Sequence, residues 1–165
     1  MSDSRFENLI NAYGRQVSNV ALRVLGDTDL AKDVHQEVFL AIWRRWHTYN
    51  GDVNWRAYLY RVTVRKAMEQ ARRRRAVPVP ANHAEPASTT AGPDMALRTE
   101  ELHEQLQAAL AKLPERQAEV FVLSRVEGLD HAAIAEILGC SPNTVRVHLH
   151  RAVRQLAREM SDYLQ

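Results

Sequence analysis

The chain has 165 residues, 45% hydrophobic and 25% charged, which is enough for one ordinary domain or two small ones. The chain has a single cysteine, Cys140, so an internal disulfide is excluded. No metal-ligand spacing surrounds Cys140, and we expect no cofactor. No stretch reaches the length of a membrane span, and Asp3 and Glu7 stand where a signal peptide would be basic and then apolar. These features predict a cytoplasmic protein without membrane insertion.

The charge is unevenly distributed along the chain, although the net charge is only +2. Residues 1–75 hold 14 Lys and Arg against 8 Asp and Glu, whereas residues 76–130 hold 4 against 9. Such an asymmetry indicates a polyanionic partner for the basic part, although a solvated surface could have the same composition. It also leads us to expect that the acidic middle shields the basic part in the free chain.

Apolar residues recur at every third or fourth position in the first part of the chain, which predicts helices. The first helix is predicted to end at Gly26 and Asp27, and the second to run from Leu30 to Trp46. A turn at residues 50–52 separates it from a third helix over 55–75. We predict that residues 1–75 form one helical domain.

Residues 76–93 contain four prolines and many alanines, a composition that cannot bury enough apolar surface to become ordered. We predict a flexible linker there and a second helical domain over residues 94–165. An amphipathic helix opens this domain, and its inward positions are Leu97, Leu102, Leu106, Ala109, Leu110 and Leu113. The predicted fold class is all-α, with two small helical domains.

Residues 131–156 have the pattern of a helix-turn-helix: a short helix that Asp130 can cap, a turn at Gly139, and a longer helix that Ser141 can cap. The side chains left outside the core of this unit are Asn143, Thr144, Arg146, Val147, His150 and Arg151. Arg can bond guanine, Asn can read adenine, and Val can touch a thymine methyl group in the major groove. The alternative is a packed helical hairpin with a polar exterior.

Three blocks of the sequence resemble a known family. Residues 28–46 read TDLAKDVHQEVFLAIWRRW, residues 55–75 read WRAYLYRVTVRKAMEQARRRR, and residues 113–154 read LPERQAEVFVLSRVEGLDHAAIAEILGCSPNTVRVHLHRAVR. In this order, and separated by a Pro/Ala-rich segment, they are similar to the second and fourth conserved regions of extracytoplasmic-function sigma factors of the sigma-70 family. The resemblance implies a transcription initiation factor that is not an enzyme and binds core RNA polymerase and promoter DNA.

The resemblance also implies which residues carry each role. The first domain would dock on the clamp helices of the polymerase β′ subunit, and the second domain would meet the β flap and read the −35 element. The implied docking residues are Asp33, Gln36, Glu37, Phe39, Leu40 and Trp43. The alternative is that Phe39 and Trp43 belong to the core and the carboxylates are solvated, and we expect Phe39 to lie partly in the core. Family members are commonly held inactive by an anti-sigma factor, which is a further expected partner.

The loop before the third helix and the helix itself would separate the strands of the −10 element and hold a flipped base. The implied residues are Tyr49, Asn50, Asn54, Trp55, Arg56, Tyr58, Arg61, Arg65 and Lys66. Trp55 and Tyr58 could stack on bases or fill the core. Arg65 and His148 depart from the residues usual in the family, so the promoter preference of relatives is not carried over.

Two other functions fit parts of the pattern. An autonomous helix-turn-helix regulator would need a dimer interface, and no spare apolar stripe follows Leu156. A nuclease could use Asp27, Asp29 and Asp33 as metal ligands, although their spacing is also that of a helix cap and a solvated face.

Overall fold

A computed structural model describes residues 2–76 and 92–163 of the chain. Within these ranges the regular structure is helical and no strand is present, which confirms the all-α fold class. The helices are α1 (Ser2–Leu25), α2 (Thr28–Arg44), α3 (Trp55–Ala76), α4 (Pro93–Lys112), α5 (Glu115–Phe121), α6 (His131–Leu138) and α7 (Pro142–Met160). A 3-10 turn at Trp46–Thr48 follows α2, and a π-helical turn at Val122–Val126 follows α5.

Helices α1, α2 and α3 pack against one another around a core of branched aliphatic side chains. The fully buried members include Val17, Val20, Val34, Val38, Ile42, Leu59 and Val64. In α1 and α2 these residues follow the three-and-four spacing of an apolar helix face, and their burial against α3 holds the three helices together. The second helix ends two residues earlier than predicted, at Arg44, because the backbone tightens into the 3-10 turn.

The second group of helices is built around α7, which packs against α4, α5 and α6. Its core includes Val120, Leu123, Ile134 and Val145, all fully buried. Ala118 and Ala135 are small enough to let the neighbouring helices come close, and both are buried in this core.

Helix α4 differs from its prediction in its first half. Leu97 is 58% exposed and Leu102 is 42% exposed, so neither points into the core as the periodicity suggested. Only the last turns of α4 are covered, where Ala109 and Leu110 are buried. The apolar spacing was a correct sign of a helix, but the tertiary neighbours of α4 reach only its second half.

Part of the predicted linker lies outside the described residues. At its margins, Ala76 is the last residue of α3 and Pro93 the first of α4. Among the helices that are described, none is long and apolar enough to cross a membrane.

Candidate nucleic-acid interface

The helix-turn-helix forms as its capping residues predict. The Asp130 carboxylate accepts a hydrogen bond from the Ala133 amide at 2.8 Å at the start of α6. Gly139 ends α6 with a φ of +67°, in the left-handed region that favours glycine. The Ser141 hydroxyl then accepts from the Thr144 amide at 3.1 Å and starts α7. The direction of α7 relative to α6 is therefore set by local sequence.

One side of α7 is left open to solvent. The interior side carries Val145, Leu149, Ala152 and Leu156, which are buried against the other helices. The opposite side carries the residues expected to read DNA: Asn143, Thr144, Arg146, His150 and Arg151 are exposed and Val147 is half-buried. The geometry thus brings all six predicted residues to one helical face.

Two contacts organise this face before any ligand is present. The Arg146 guanidinium donates to the Asn143 side-chain oxygen at 2.8 Å, so two potential base-reading groups are already aligned. The Thr144 hydroxyl lies 2.9 Å from that of Ser141 at the helix N-terminus. Backbone N–H groups at such a terminus favour a phosphate.

A cleft of about 510 Å³ opens beside the start of α3. It is lined by Arg5, Trp46, His47, Tyr49, Asn50, Gly51, Val53 and Trp55. Gly51 turns the chain here with a φ of +84°. The lining combines aromatic side chains with the cationic Arg5 and the amide Asn50, which is the combination that suits an unstacked nucleobase and its phosphate.

The aromatic residues of this cleft pack on one another. The rings of Trp46 and Trp55 stack with centroids 5.7 Å apart, and the Tyr49 ring meets Trp55 edge-on at 5.1 Å. The hydroxyls of Tyr49 and Tyr58 are 2.8 Å apart. Burial, followed by this hydrogen bond, raises the pKa of Tyr49 to about 12. The sequence left core and stacking roles open for Trp55 and Tyr58, and both side chains are half-buried beside the cleft.

The polar residues predicted for the −10 side follow the cleft along α3. Arg56 is exposed and Arg61 half-buried. Lys66 lies 3.8 Å from Glu37 of α2. Asn54 and Arg65 instead meet carboxylates of the second group of helices, Glu136 and Glu119. Sequence reasoning missed both carboxylates as neighbours. The acidic composition of residues 76–130 was a signal for Glu119, and no pattern in the sequence pointed to Glu136.

The predicted docking residues on α2 separate into an exposed set and a buried one. Leu40 and Trp43 are 47% and 43% exposed, and Asp33 and Gln36 are exposed beside them. Phe39 is 5% exposed and packs edge-on against Phe6, so it belongs to the core and can act on this surface only as its support.

Of the three acidic residues considered as metal ligands, Asp27 caps a helix, and Asp29 and Asp33 are exposed. The Asp27 carboxylate caps α2 by accepting from the amides of Asp29 and Leu30 at 2.9 and 3.0 Å. Across residues 2–76 and 92–163, no group of His, Cys, Asp and Glu is arranged to hold a metal ion.

Comparison with known proteins places both halves of the chain in one family. Residues 9–77 match the family model described as Sigma-70 region 2, and residues 103–156 match that described as Sigma-70, region 4. An ECF RNA polymerase sigma factor, SigE, of Mycolicibacterium smegmatis is 29% identical over 96% of this chain. This chain spans 61% of that relative's length. The RNA polymerase sigma-H factor of Pseudomonas aeruginosa is 26% identical over 96% of this chain and 88% of its own.

Solved structures show the same fold. CnrH, in complex with the cytosolic domain of CnrY, superposes with a TM-score of 0.60 at 25% identity, over 97% of this chain and 90% of its own. The sigma factor RpoE of Bartonella quintana, in complex with the anti-sigma factor NepR, superposes with a TM-score of 0.53 at 18% identity, over 95% and 97%.

Proposed function

This chain belongs to the extracytoplasmic-function group of the sigma-70 family, the RNA polymerase sigma factors that direct promoter-specific initiation, and we propose a division of that work between its domains. Helices α1–α3 dock on the clamp helices of the polymerase β′ subunit and open the −10 element. Helices α4–α7 meet the β flap and read the −35 element. As part of this proposal, residues 1–75 form the first domain and residues 94–165 the second. The chain supplies no catalytic group, and it works in the cytoplasm, where core polymerase is found.

The observation that carries this proposal is the exposed face of α7. Five of its six predicted side chains are exposed and Val147 is half-buried, and Arg146 is hydrogen-bonded to Asn143. If this face were only the polar exterior of a packed helical hairpin, it would not need neighbouring Arg and Asn side chains that can hydrogen-bond to base edges. Arg and Asn side chains distinguish base pairs in the major groove, which supports reading of the −35 duplex.

The aromatic cleft supports the −10 role. Extruding a base from a duplex costs a few kcal/mol, so a pocket must compensate. Stacking on an aromatic side chain contributes about 1–3 kcal/mol per base. The Trp46 and Trp55 rings can provide such a platform, while Arg56 and Arg61 stand along α3 for the phosphates. The remaining predicted contacts are Tyr49, Asn50, Asn54, Tyr58, Arg65 and Lys66.

The exposed face of α2 supports docking on polymerase. Leu40 and Trp43 provide apolar area, and Asp33 and Gln36 surround it with polar groups. Interface cores enriched in aromatic residues and bordered by polar ones are typical of protein partners. Since two structural relatives were solved with CnrY and NepR bound, we include an anti-sigma factor among the partners.

Reconstitution with core polymerase tests the proposal. The native chain should co-purify with core enzyme and support initiation on a subset of promoters. Asp33→Lys combined with Glu37→Lys should weaken core binding without loss of helicity, because both reversals fall on the docking face. Glu7→Lys, an exposed carboxylate on α1, is the matched control and should bind normally. Unchanged core binding by the double variant would contradict the docking assignment.

A further inference from the structure

We propose that in the free chain the acidic side of the second domain occupies the −10-binding side of the first. DNA and the second domain would then compete for the same side chains. This inference rests on the −10 role proposed above for Arg65 and Asn54. The contacts that carry it lie in three places along the boundary between the domains.

The first contact pairs Arg65, a predicted DNA ligand, with two carboxylates. The Nε of Arg65 lies 3.0 Å from a Glu119 oxygen and 2.9 Å from a Glu115 oxygen. The Glu119 side chain is only 2% exposed and is held from its own domain by Arg116 at 3.3 Å. A phosphate approaching Arg65 would meet two carboxylates, whose negative charge opposes its binding.

The second contact engages the loop that precedes α3. The Asn54 amide donates to a Glu136 oxygen at 2.9 Å, while its own oxygen accepts from the Ala57 amide and caps α3. The space around this contact is lined from both domains, by Arg56 and Tyr60 on one side and Ala133 and Ile137 on the other. Helix α6 therefore stands over the start of the helix that would receive the −10 strand.

The third contact, the ion pair of Arg23 with Glu127, joins the two domains without using a predicted DNA ligand. We call this ion pair the lock. The Arg23 guanidinium donates two hydrogen bonds to the Glu127 carboxylate, at 2.8 and 2.7 Å. Such bidentate pairs are the strong class of ion pair. The Glu127 side chain is 2% exposed, and its hydrogen bond raises the pKa of Arg23. We call the packing of the second domain against the first closure. Closure thus includes one ion pair that can be altered without changing a residue of the proposed −10 site.

Neutral contacts complete the boundary. The Gln107 amide of α4 donates to the carbonyls of Val24 and Leu25 at 2.8 and 3.1 Å. These carbonyls end α1 and have no partner within the helix, so α4 satisfies groups that would otherwise need water. At Gly26, a Cβ atom would lie 2.7 Å from the His103 ring, so glycine allows α4 to approach.

Closure covers the −10 side of the first domain but leaves the other proposed binding faces exposed. The reading face of α7 stays exposed in the closed chain, as do Leu40 and Trp43 of the docking face. The free protein can therefore meet polymerase and a −35 duplex, whereas the −10 strand must displace the second domain. Binding of polymerase first and release of the −10 side afterwards is the order that this arrangement favours.

Charge reversals at the lock test the inference. Glu127→Arg and Arg23→Glu should each increase the radius of gyration of the free chain in small-angle X-ray scattering, and the two reversals combined should return it toward the native value.

A binding measurement provides the second test. The DNA probe is the labelled non-template −10 strand of a promoter that the reconstituted holoenzyme transcribes. Glu127→Arg should bind it about tenfold more tightly than the native chain does, a usual size for coupling between two sites.

Matched controls come from an ion pair inside the second domain. Lys112 and Glu159 lie 2.6 Å apart, so Glu159→Arg and Lys112→Glu change the net charge equally without crossing the boundary. Single reversals at the lock that behave like these controls in both measurements would overturn the inference. Should Glu127→Arg lose helicity, Glu127→Gln provides the same comparison. A native holoenzyme that transcribes no promoter would instead contradict the proposed function, and scattering would still test closure.

Discussion

The pairing of Arg146 with Asn143 gives the reading face its most specific test. Because the two side chains are joined at 2.8 Å, Arg146 has a defined direction on the exposed side of α7. Arg146→Ala should cost about 1–3 kcal/mol at one −35 base pair if the guanidinium bonds that base bidentately. The measurement is holoenzyme affinity on promoters changed one base pair at a time. Arg158→Ala, at the far end of the same helix, is the control.

An equal loss on every promoter variant would show that Arg146 touches only phosphate. A loss confined to one position would assign that base to Arg146. Asn143→Ala should then produce a smaller loss at the same position, because it removes the side chain that orients the guanidinium.

The Tyr49 hydroxyl predicts a dependence of stability on alkaline pH. Its pKa is about 12, against an ordinary value of 10.0, because it is half-buried and hydrogen-bonded to Tyr58. The folded chain therefore holds this proton more strongly than the unfolded chain does. The stabilisation is complete below about pH 10 and is lost as pH rises toward 12.

Tyr58→Phe should reduce that dependence without abolishing it, since burial is the larger cause. The measurement is Tm at about pH 9 and about pH 11, with the pKa checked by tyrosinate absorbance. Tyr13→Phe, on α1, is the control and should leave the Tm difference between the two pH values at its native size. A Tyr58→Phe variant with the native Tm difference would contradict this account of the pair.

Side-chain roles at the cleft were the least predictable part of the sequence. The aromatic positions Trp55 and Tyr58 fit a helix core and a stacking platform equally well, because both roles need large apolar rings. Their half-burial depends on Trp46 and Tyr49, which come from the preceding turn and loop. Arg5 joins the cleft from α1, a placement that no local pattern could indicate.

At the scale of helices and turns, local chemistry was the better guide. The Asp130 and Ser141 caps and the left-handed Gly139 were all predictable, because a cap or a positive φ depends on a few neighbouring residues. The solvent side of α4 and the π-helical turn after α5 were not, because both depend on what packs against the helix.

Two glycines with the same backbone geometry should respond differently to substitution. Gly139 and Gly26 have φ values of +67° and +64°, so alanine costs about 1–2 kcal/mol of backbone strain at each. Nothing lies within 4 Å of a Cβ at Gly139, whereas one at Gly26 would meet the His103 ring at 2.7 Å. Gly26→Ala should therefore lower the free energy of unfolding further and also loosen α4 from α1.

Urea unfolding followed by circular dichroism measures the first effect, and scattering of the free chain measures the second. Gly139→Ala serves as the control for backbone strain alone. Equal losses in the two variants, with an unchanged radius of gyration, would show that the contact with His103 contributes nothing to closure.

For the whole molecule, the uneven charge of the sequence carried more information than the net charge. The basic first domain and the acidic segment after it predicted a polyanion partner and a shield, and the contacts of Arg65 and Arg23 with glutamates fit the shield. Which glutamates meet which arginines could not be predicted, because those pairs are separated by 54 and 104 positions in the chain. Only the folded arrangement of both domains brings them together.

Closure also predicts how the free chain responds to each DNA element. The −10 strand and the second domain are proposed to exclude one another. Saturation with the strand must then shift the equilibrium between closed and open chain toward the open form, by the same factor by which closure lowers the affinity for the strand. A −35 duplex binds a face that is already exposed and should leave the domains together. Dyes on Asn11→Cys in α1 and Arg158→Cys in α7, with Cys140→Ser, report the separation by energy transfer. We expect transfer to fall with the strand and to stay constant with the duplex, whereas strand binding at constant transfer would contradict the competition.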